Sequence, residues 1–293
     1  MTTEPGQAYH ESVMPKEVLD GLAVRTGRSY IDCTLGDGGH SIGIMEAAAP
    51  GGRLLGMDAD PSAVAFSRQR LAPYGSAAVV VHANFAALES VAVSYGFQPA
   101  HGLLFDLGLS SRQLAVDARG FSFQRDATPD MRFDPSSGMT AAELLNRSTE
   151  RELADLIFQL GEEPRSRRIA RAIVANRPIS STHQLADVVR RSSGYRRSRV
   201  HPATRTFQAL RMHVNQELPN LQSALAQSER VLDHGGRLVT IAYHSLEDRL
   251  IKTFLAKARG LRPVTKRVVR PSPEEVHRNP RSRSARMRVA ERL

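Results

Sequence analysis

The sequence is poor in residues that define several protein classes. It has no tryptophan, and aromatic residues make up 5% of its 293 positions, which argues against a large aromatic stacking surface. Its single cysteine, Cys33, cannot form a disulfide within the chain, which favours a reducing compartment. No basic-then-apolar signal pattern opens the chain, and no apolar run approaches the roughly 18 residues of a membrane helix. These absences predict a cytoplasmic protein with no membrane partner.

Basic residues are in excess, and they are unevenly placed. The formal net charge is +10. Residues 161–211 hold 12 arginines against three acidic residues, and residues 256–293 hold 12 basic residues against three glutamates. The remainder of the chain carries a net charge of −8. Two separate arginine-rich zones on an acidic body predict a polyanionic partner, with plain solvation of the surface as the simpler alternative.

Strand and helix patterns alternate over the first 110 residues. Such alternation implies crossover connections, a parallel sheet and an α/β fold. The strand patterns cover residues 29–33, 52–60, 76–85 and 101–108, and the helical patterns between them cover residues 41–49, 61–75 and 87–97.

The alternation stops after the fourth strand. Residues 111–135 have the composition of a long loop, and a strand pattern returns only at residues 235–245. The intervening gap of about 130 residues is far longer than an ordinary crossover, so we predict a helical domain inserted into the α/β domain. Helical patterns cover residues 140–161, 165–177, 181–191 and 203–232, and the predicted domains are 1–112, 113–213 and 214–293. We expect the last 35 or so residues, rich in Arg, Pro and Ser, to be partly disordered alone.

A glycine-rich turn follows the first strand. Gly36, Gly38 and Gly39 stand where a backbone must approach a ligand in front of a helix N-terminus. The dinucleotide pattern requires a third glycine where Ser41 stands. Asp58 ends the next strand, at the spacing that suits the ribose hydroxyls of an adenosine. The pattern favours S-adenosylmethionine over a nicotinamide dinucleotide, and purely structural glycines remain a third interpretation.

Three further residues stand at strand ends. Asp60 precedes Pro61 and is predicted to cap the next helix. Phe85 closes the third strand, where it either covers an adenine or belongs to the core. Asp106 ends the fourth strand and is followed by Gly108 and two serines, as at the carboxyl edge of a parallel sheet.

Several long motifs occur in one order along the chain. This order resembles the bacterial RsmH (MraW) family of S-adenosylmethionine-dependent methyltransferases of small-subunit ribosomal RNA, from about His10 to Arg292. The motifs are DLGLSSRQL, RGFSF, DMRFD, GEE, HPATRTFQALRMHVNQEL, HSLEDR and NPRSRSARMRVAER.

The resemblance implies a fold, an activity and a set of residues. The fold is a Rossmann-like class I methyltransferase domain interrupted by a smaller helical domain. The activity is methyl transfer to the exocyclic N4 amino group of a cytosine in the decoding centre of 16S rRNA, with the rRNA or the small ribosomal subunit as partner. The implied cofactor contacts are Gly38, Gly39, His40, Asp58, Phe85, Asp106 and Gln113.

The chain departs from the family at a few places. His101 replaces an acidic residue, Cys33 replaces a small residue, and Tyr243 stands where phenylalanine is usual. The segment from Lys257 to Pro271 is also short. None of these changes removes a residue with an assigned role.

The expected chemistry needs a group that accepts a proton from a weakly nucleophilic amine. Asp106 is the leading candidate, with cofactor contact alone as the alternative. His244 and Ser245 are candidate catalytic residues, although Glu247 and Asp248 of the same motif are also consistent with a helix start.

Other activities fit the sequence less well. No Cys-x-x-Cys pair is present, so we predict neither a zinc deaminase nor a metal site. A non-catalytic RNA-binding factor stays open, as does the choice between a monomer and a homodimer.

Overall fold

The computed structural model describes residues 12–115, 119–194 and 201–293, and it divides the chain into two compact units. The first unit comprises Met1–Ser110 and Leu218–Leu293, and the second comprises Ser111–Glu217. The prediction placed the domain boundaries after residues 112 and 213. Among the described residues, no helix is both long and apolar enough to span a bilayer.

A seven-stranded sheet forms the centre of the first unit. Its strand order is β3-β2-β1-β4-β5-β7-β6. The first five strands in that order run parallel, whereas β7 is antiparallel to both of its neighbours. This arrangement confirms the predicted Rossmann-like α/β class. The strands are β1 (Ser29–Asp32), β2 (Arg53–Asp58), β3 (Ala78–His82), β4 (Ala100–Asp106), β5 (Leu232–Ala242), β6 (Leu261–Pro263) and β7 (Arg286–Arg292).

Thirteen α-helices are present in the described part of the chain. In the first unit lie α1 (Pro15–Leu22), α2 (Gly39–Ala48), α3 (Pro61–Leu71), α4 (Leu88–Ser94), α12 (Ser245–Lys257) and α13 (Pro273–Arg278). In the second lie α5 (Ser111–Ala115), α6 (Ala141–Arg147), α7 (Glu150–Gly161), α8 (Ser166–Ala175), α9 (Thr182–Ser192) and α10 (Thr204–Val214). Helix α11 (Glu217–Val231) begins at the boundary.

The sheet is buried on both faces. Along β4, Leu103 and Phe105 pack into one apolar cluster and Leu104 into another on the opposite face. All three side chains are fully buried. Helices cover both faces of a parallel sheet, so its central strands are continuous apolar runs rather than alternating ones. This explains why Leu103, Leu104 and Phe105 are all apolar up to the carboxyl end of the strand, where Asp106 follows.

The C-terminal segment differs from its prediction. The expectation of partial disorder over the last 35 or so residues is wrong, because this segment supplies β6, α13 and β7. Strand β7 pairs with β5 from Arg237 opposite Glu291 to Ala242 opposite Arg286. Met287 and Val289 are buried, whereas Arg286 and Arg288 are only partly buried. The high arginine content concealed a strand that is stabilised by a ladder with β5 and by burial of alternate side chains.

The helix predicted over residues 203–232 is two helices. The break falls at Asn215 and Gln216, where Gln216 has a φ of 50°. The Asn215 side chain donates to the Met131 carbonyl at 2.7 Å and accepts the Phe133 N–H at 2.7 Å. Helix α10 packs against α7 and therefore belongs to the second unit. This packing explains why the second unit extends four residues beyond the predicted boundary at residue 213.

The long segment after β4 agrees only in part with its prediction as a loop. Its first residues form α5 (Ser111–Ala115), whereas residues 120–135 contain neither helix nor strand. Residues 116–118 lie outside the described part of the chain. Helix α1, which carries Val18 and Leu22 into the core, has no counterpart in the prediction.

Candidate active site at the carboxyl edge of the sheet

The glycine-rich turn joins β1 to α2. Gly36 has a φ of 51° and Gly38 a φ of 75°, backbone conformations that residues with a Cβ rarely adopt. Gly38 is the N-cap of α2, and a Cβ there would lie 3.2 Å from the Ser67 hydroxyl. That hydroxyl donates to the Gly36 carbonyl at 2.6 Å. The turn is therefore held by α3 in one conformation with little room for side chains.

Asp32, at the end of β1, is hydrogen-bonded to residues on both sides of the glycine turn. Its carboxylate accepts the Ser41 hydroxyl at 2.8 Å and the Thr34 N–H at 3.1 Å. The side chain is buried, and this burial raises its pKa. Asp32 therefore links the end of β1 to the first turn of α2.

Asp58, at the end of β2, contacts the same turn. Its Oδ2 accepts the Gly36 N–H and its Oδ1 accepts the Asp60 N–H, each at 2.8 Å. Burial raises the pKa of Asp58 to about 6, against the lowering effect of these two hydrogen bonds. Each carboxylate oxygen retains a lone pair for a second donor. The predicted cap role of Asp60 is confirmed, because its carboxylate accepts the Ser62 N–H at 2.9 Å.

Asp106 ends β4 beside the end of β1. Its backbone N–H donates to the Thr34 hydroxyl at 2.7 Å. Its Oδ1 accepts the Tyr243 hydroxyl at 2.8 Å, and its Oδ2 lies 3.4 Å from His40 Nε2. The Asp106 side chain is 19% exposed and that of His40 is 8% exposed. Three side chains that can exchange protons thus meet in a largely enclosed place.

Burial and the nearby carboxylates change the pKa values of the two side chains that contact Asp106. Burial is the largest influence on His40 and lowers its pKa, but the contact with Asp106, supported by Asp32 and Glu275, raises the pKa above its ordinary value. Burial, followed by the charge of Asp106, raises the pKa of Tyr243 well above its usual range. Tyr243 therefore stays protonated and donates to Asp106 at neutral pH.

Glu275 brings a further carboxylate into this region from α13. Its side chain is buried and accepts the Met14 N–H at 2.7 Å. Its charge contributes to the raised pKa of both His40 and Tyr243. Sequence reasoning missed Glu275 because nothing in its local pattern distinguishes it from a solvated acidic residue.

The HSLEDR motif begins α12. His244 Nδ1 accepts the Glu247 N–H at 3.3 Å, and the Glu247 carboxylate accepts the His244 N–H at 3.4 Å. These contacts form a capping box around the start of the helix. His244 Nε2 lies 3.1 Å from Glu247 Oε1 without forming a hydrogen bond within the described residues. Glu247 thus has the helix-start role, whereas the catalytic roles of His244 and Ser245 stay predictions.

Asp248 joins α12 to the C-terminal strand. Its carboxylate accepts from Arg288 Nε at 2.8 Å and from Arg286 at 3.3 Å. Burial raises the pKa of Asp248, but the two guanidinium groups outweigh it and hold the pKa below its usual range. Asp248 is therefore structural and fixes the position of the helix that follows β5.

Phe85 and Gln113 occupy different surroundings. Phe85 follows β3 and is half-buried, with its ring edge-on to Phe105 at 5.9 Å between centroids. It is part of the packing around the core, and its contact with an adenine stays a prediction. Gln113 is buried on α5 in the second unit. Its predicted cofactor contact also stays a prediction.

Most of the predicted site residues of the first unit converge at one edge of the sheet. Strands β2, β1, β4 and β5 are neighbours and parallel, so the residues at their carboxyl ends share that edge. The glycine turn, Asp58, Asp106 and His244 all follow these ends. Tyr243 was noted in the sequence only as a departure from the family. The register of β5 against β4 reveals its position. Ile241 pairs with Asp106, so Tyr243 lies just beyond the end of β4.

Comparison with known proteins decides the family. The model of the MraW methylase family matches residues 7–293. The chain belongs to the MraW methylase family. This confirms the resemblance drawn from the motifs. The matched range includes every residue of the candidate site, from Asp32 in β1 to Glu275 in α13.

Curated relatives agree with MraW membership over nearly the whole chain. A protein of Dehalococcoides mccartyi named Ribosomal RNA small subunit methyltransferase H is 52% identical over 97% of this chain and 86% of its own length. Proteins with the same name from Thermomicrobium roseum and Geotalea uraniireducens are 52% and 46% identical, covering 99% and 97% of this chain and 95% and 99% of their own lengths. Among solved structures, a putative rRNA methylase from Clostridium thermocellum covers 97% of this chain and 100% of its own, at a TM-score of 0.48 and 11% identity.

Proposed function

We propose that this MraW-family protein transfers a methyl group from S-adenosylmethionine to the N4 amino group of a cytosine in the decoding centre of 16S rRNA. The observation that carries the proposal is the position of Asp106. It ends β4 next to the glycine turn and is held there by the Thr34 and Tyr243 hydroxyls. Relatives named as small-subunit rRNA methyltransferases support the choice of rRNA as substrate.

The glycine turn and Asp58 fit a nucleoside cofactor. Gly38 takes a φ of 75° at the N-cap of α2, so that the N-terminus of this helix begins directly at the turn, and Ser41 stands where the dinucleotide pattern has its third glycine. Asp58 retains acceptor capacity for the two ribose hydroxyls, and hydrogen bonds to a carboxylate are strong. S-adenosylmethionine supplies a methyl group that its sulfonium already activates for transfer.

The protein must then activate the amine. The amino lone pair of cytosine is delocalised into the ring, so the amine gains nucleophilicity when a carboxylate accepts one of its protons. Asp106 is suited to this role because the Tyr243 hydroxyl occupies Oδ1 and leaves Oδ2 for another donor. In the proposed reaction Asp106 Oδ2 holds the amine proton as the methyl group is transferred. His40, 3.4 Å from Oδ2, stabilises the carboxylate before that transfer.

Mass mapping of 16S rRNA tests the proposal directly. We expect small subunits from cells lacking this protein to gain one methyl group at a decoding-centre cytosine on incubation with the purified chain and S-adenosylmethionine. Transfer to a ribose or to a ring carbon would contradict the assignment to N4. Calorimetry separates the alternatives. A non-catalytic RNA-binding factor binds no S-adenosylmethionine, and a nicotinamide oxidoreductase binds NADH tightly.

A further inference from the structure

Helix α8 of the second unit has one apolar face and one arginine-rich face. Ile169, Ala170 and Ile173 are fully buried on the first face. On the opposite face Arg167, Arg168 and Arg171 are all exposed. The apolar face packs α8 against α7 and α9, so the orientation of the exposed arginines is fixed by the core of the unit.

The arginines around α8 differ in their pairing. Arg171 lies 3.4 Å from Glu150 on α7. Arg165, Arg167 and Arg168 are exposed and have no ion pair or hydrogen bond through their guanidinium groups within the described residues. We call these three residues the α8 arginine face.

Several other exposed arginines of the same unit are paired with carboxylates. Arg147 lies 3.5 Å from Glu143, and Arg151 lies 3.8 Å from Asp155. Arg190 lies 2.9 Å from Asp187. We call Arg147, Arg151 and Arg190 the paired arginines. Their charges are balanced locally, whereas the charge of the α8 arginine face is not.

The α8 arginine face gains no stabilisation from ion pairs within the described residues. Arg165, the N-cap residue of α8, lies three residues before Arg168, a spacing at which like charges on a helix repel one another. Within the part of the chain that the structure describes, the guanidinium groups of the α8 arginine face form no ion pair with a carboxylate. Their arrangement suits an external polyanion, whose binding would relieve the repulsion.

We propose that the α8 arginine face binds the phosphodiester backbone of the RNA substrate. This inference rests on the proposed function, since the methyl acceptor is then an RNA. Planar guanidinium groups match phosphate oxygens with two parallel hydrogen bonds. Neutralising phosphates releases condensed counterions, so these contacts add affinity at low salt without selecting a base. The face therefore positions the RNA, and the choice of cytosine belongs to the first unit.

Binding of the full-length chain to RNA tests the inference. The probe is a fluorescein-labelled, unmethylated RNA hairpin with the decoding-centre sequence, titrated at 50 and 200 mM KCl. The triple variant Arg165→Gln, Arg167→Gln, Arg168→Gln should bind about 30-fold more weakly than the parent at 50 mM KCl. The slope of log Kd against log salt should fall by about 2 to 3, as expected for the loss of three phosphate contacts. Circular dichroism and S-adenosylmethionine affinity should be unchanged.

The matched control replaces the three paired arginines with glutamine and changes the net charge equally. It should bind the hairpin within about threefold of the parent. Equal losses for both triple variants would overturn the inference, because overall charge would then explain the effect. Unchanged hairpin binding by the α8 variant would also overturn it, as would a loss seen only with intact small subunits, which would point to an acidic protein partner.

The readout also separates this inference from the proposed function. Hairpin binding does not require methyl transfer. If mass mapping finds no methylated cytosine, the proposed function fails whatever the binding result. If methylation occurs but the two triple variants bind alike, only the role of the α8 arginine face is wrong.

Discussion

The Tyr243 hydroxyl donates a 2.8 Å hydrogen bond to Asp106 Oδ1, joining the ends of two neighbouring parallel strands. The tyrosine ring lies against Gly108, where a Cβ would come within 3.2 Å of it and where φ is 110°. Gly108, two residues after Asp106, therefore leaves room for the tyrosine ring whose hydroxyl orients the carboxylate. A phenylalanine at 243 would keep the ring and lose the hydrogen bond.

Replacement of Asp106 tests the central role directly. Asp106→Asn should lower kcat for RNA methylation by about 100-fold or more, because an amide does not accept a proton from the amine. S-adenosylmethionine affinity and the unfolding midpoint should change little, since asparagine retains the shape of the side chain. Single-turnover methylation of the decoding-centre hairpin gives the rate, and calorimetry gives the affinity. A rate within threefold of the parent would refute proton acceptance by Asp106.

Tyr243→Phe should lower kcat by about three- to tenfold and leave both KM values unchanged. The variant loses a hydrogen bond to a charged group but keeps its packing against Gly108. In an Asp106→Asn background the same change should have no further effect on the rate. If Tyr243→Phe lowered kcat by the same factor in the Asp106→Asn background as in the parent, the hydroxyl would act independently of Asp106.

If Asp58 holds the ribose as proposed, its raised pKa should make cofactor binding depend on pH. The ionised carboxylate is the better acceptor for ribose hydroxyls, and its pKa is about 6 in the folded chain. S-adenosylmethionine affinity should therefore fall by about tenfold from pH 7 to pH 5. The variant Asp58→Asn should bind weakly at both values. Calorimetry at several pH values checks this, and a flat profile for the parent would show that Asp58 does not hold the cofactor through its charge.

Asp58 also makes the stability of the folded chain depend on pH, but in the opposite direction from cofactor affinity. The folded pKa of Asp58 is raised from an unfolded value near 3.8, so the folded state binds the proton more tightly. Its contribution to the free energy of unfolding is present below about pH 4 and is lost as the pH rises through about 6. Asp58→Asn should thus lose less stability than the parent over this range. Urea unfolding at pH 4.5 and pH 7 measures the difference, and identical losses would contradict the assignment.

Asp248 should contribute more to stability than an exposed ion pair does. Asp248→Asn leaves Arg288, which is 17% exposed, without its charged partner, so we expect a loss of about 2 kcal/mol. The control Glu89→Gln breaks the more exposed pair with Arg230 and should destabilise the chain clearly less than Asp248→Asn does. Urea denaturation of the full chain compares the two variants. Equal losses would show that Asp248 does not anchor α12 to β7.

Local patterns predicted the features that depend on strand ends. Alternating strands and helices produce a parallel sheet, and the carboxyl ends of its strands share one edge. The glycine turn, Asp58 and Asp106 could therefore be assigned to one site from their positions alone. The cap role of Asp60 is equally local, since it depends on the two residues that follow it.

Long-range pairing decided what local patterns left open. The strand β7 was hidden in an arginine-rich segment, because an antiparallel ladder with β5 stabilises it and no short-range signal records that ladder. The partner of Asp106 lies 137 residues away in Tyr243, and Glu275 reaches the same region from the other end of the chain.

The sequence by itself determined the α/β class, the family and the placement of the candidate site residues at the sheet edge, since these follow from periodicity and from motifs within short segments. Only the tertiary structure decided that Tyr243 orients Asp106 and that Glu247 and Asp248 hold the start of α12. The physical reason is that hydrogen bonds and ion pairs between distant residues depend on strand register and helix packing. Those are set by the burial of the whole core and not by any one stretch of the chain.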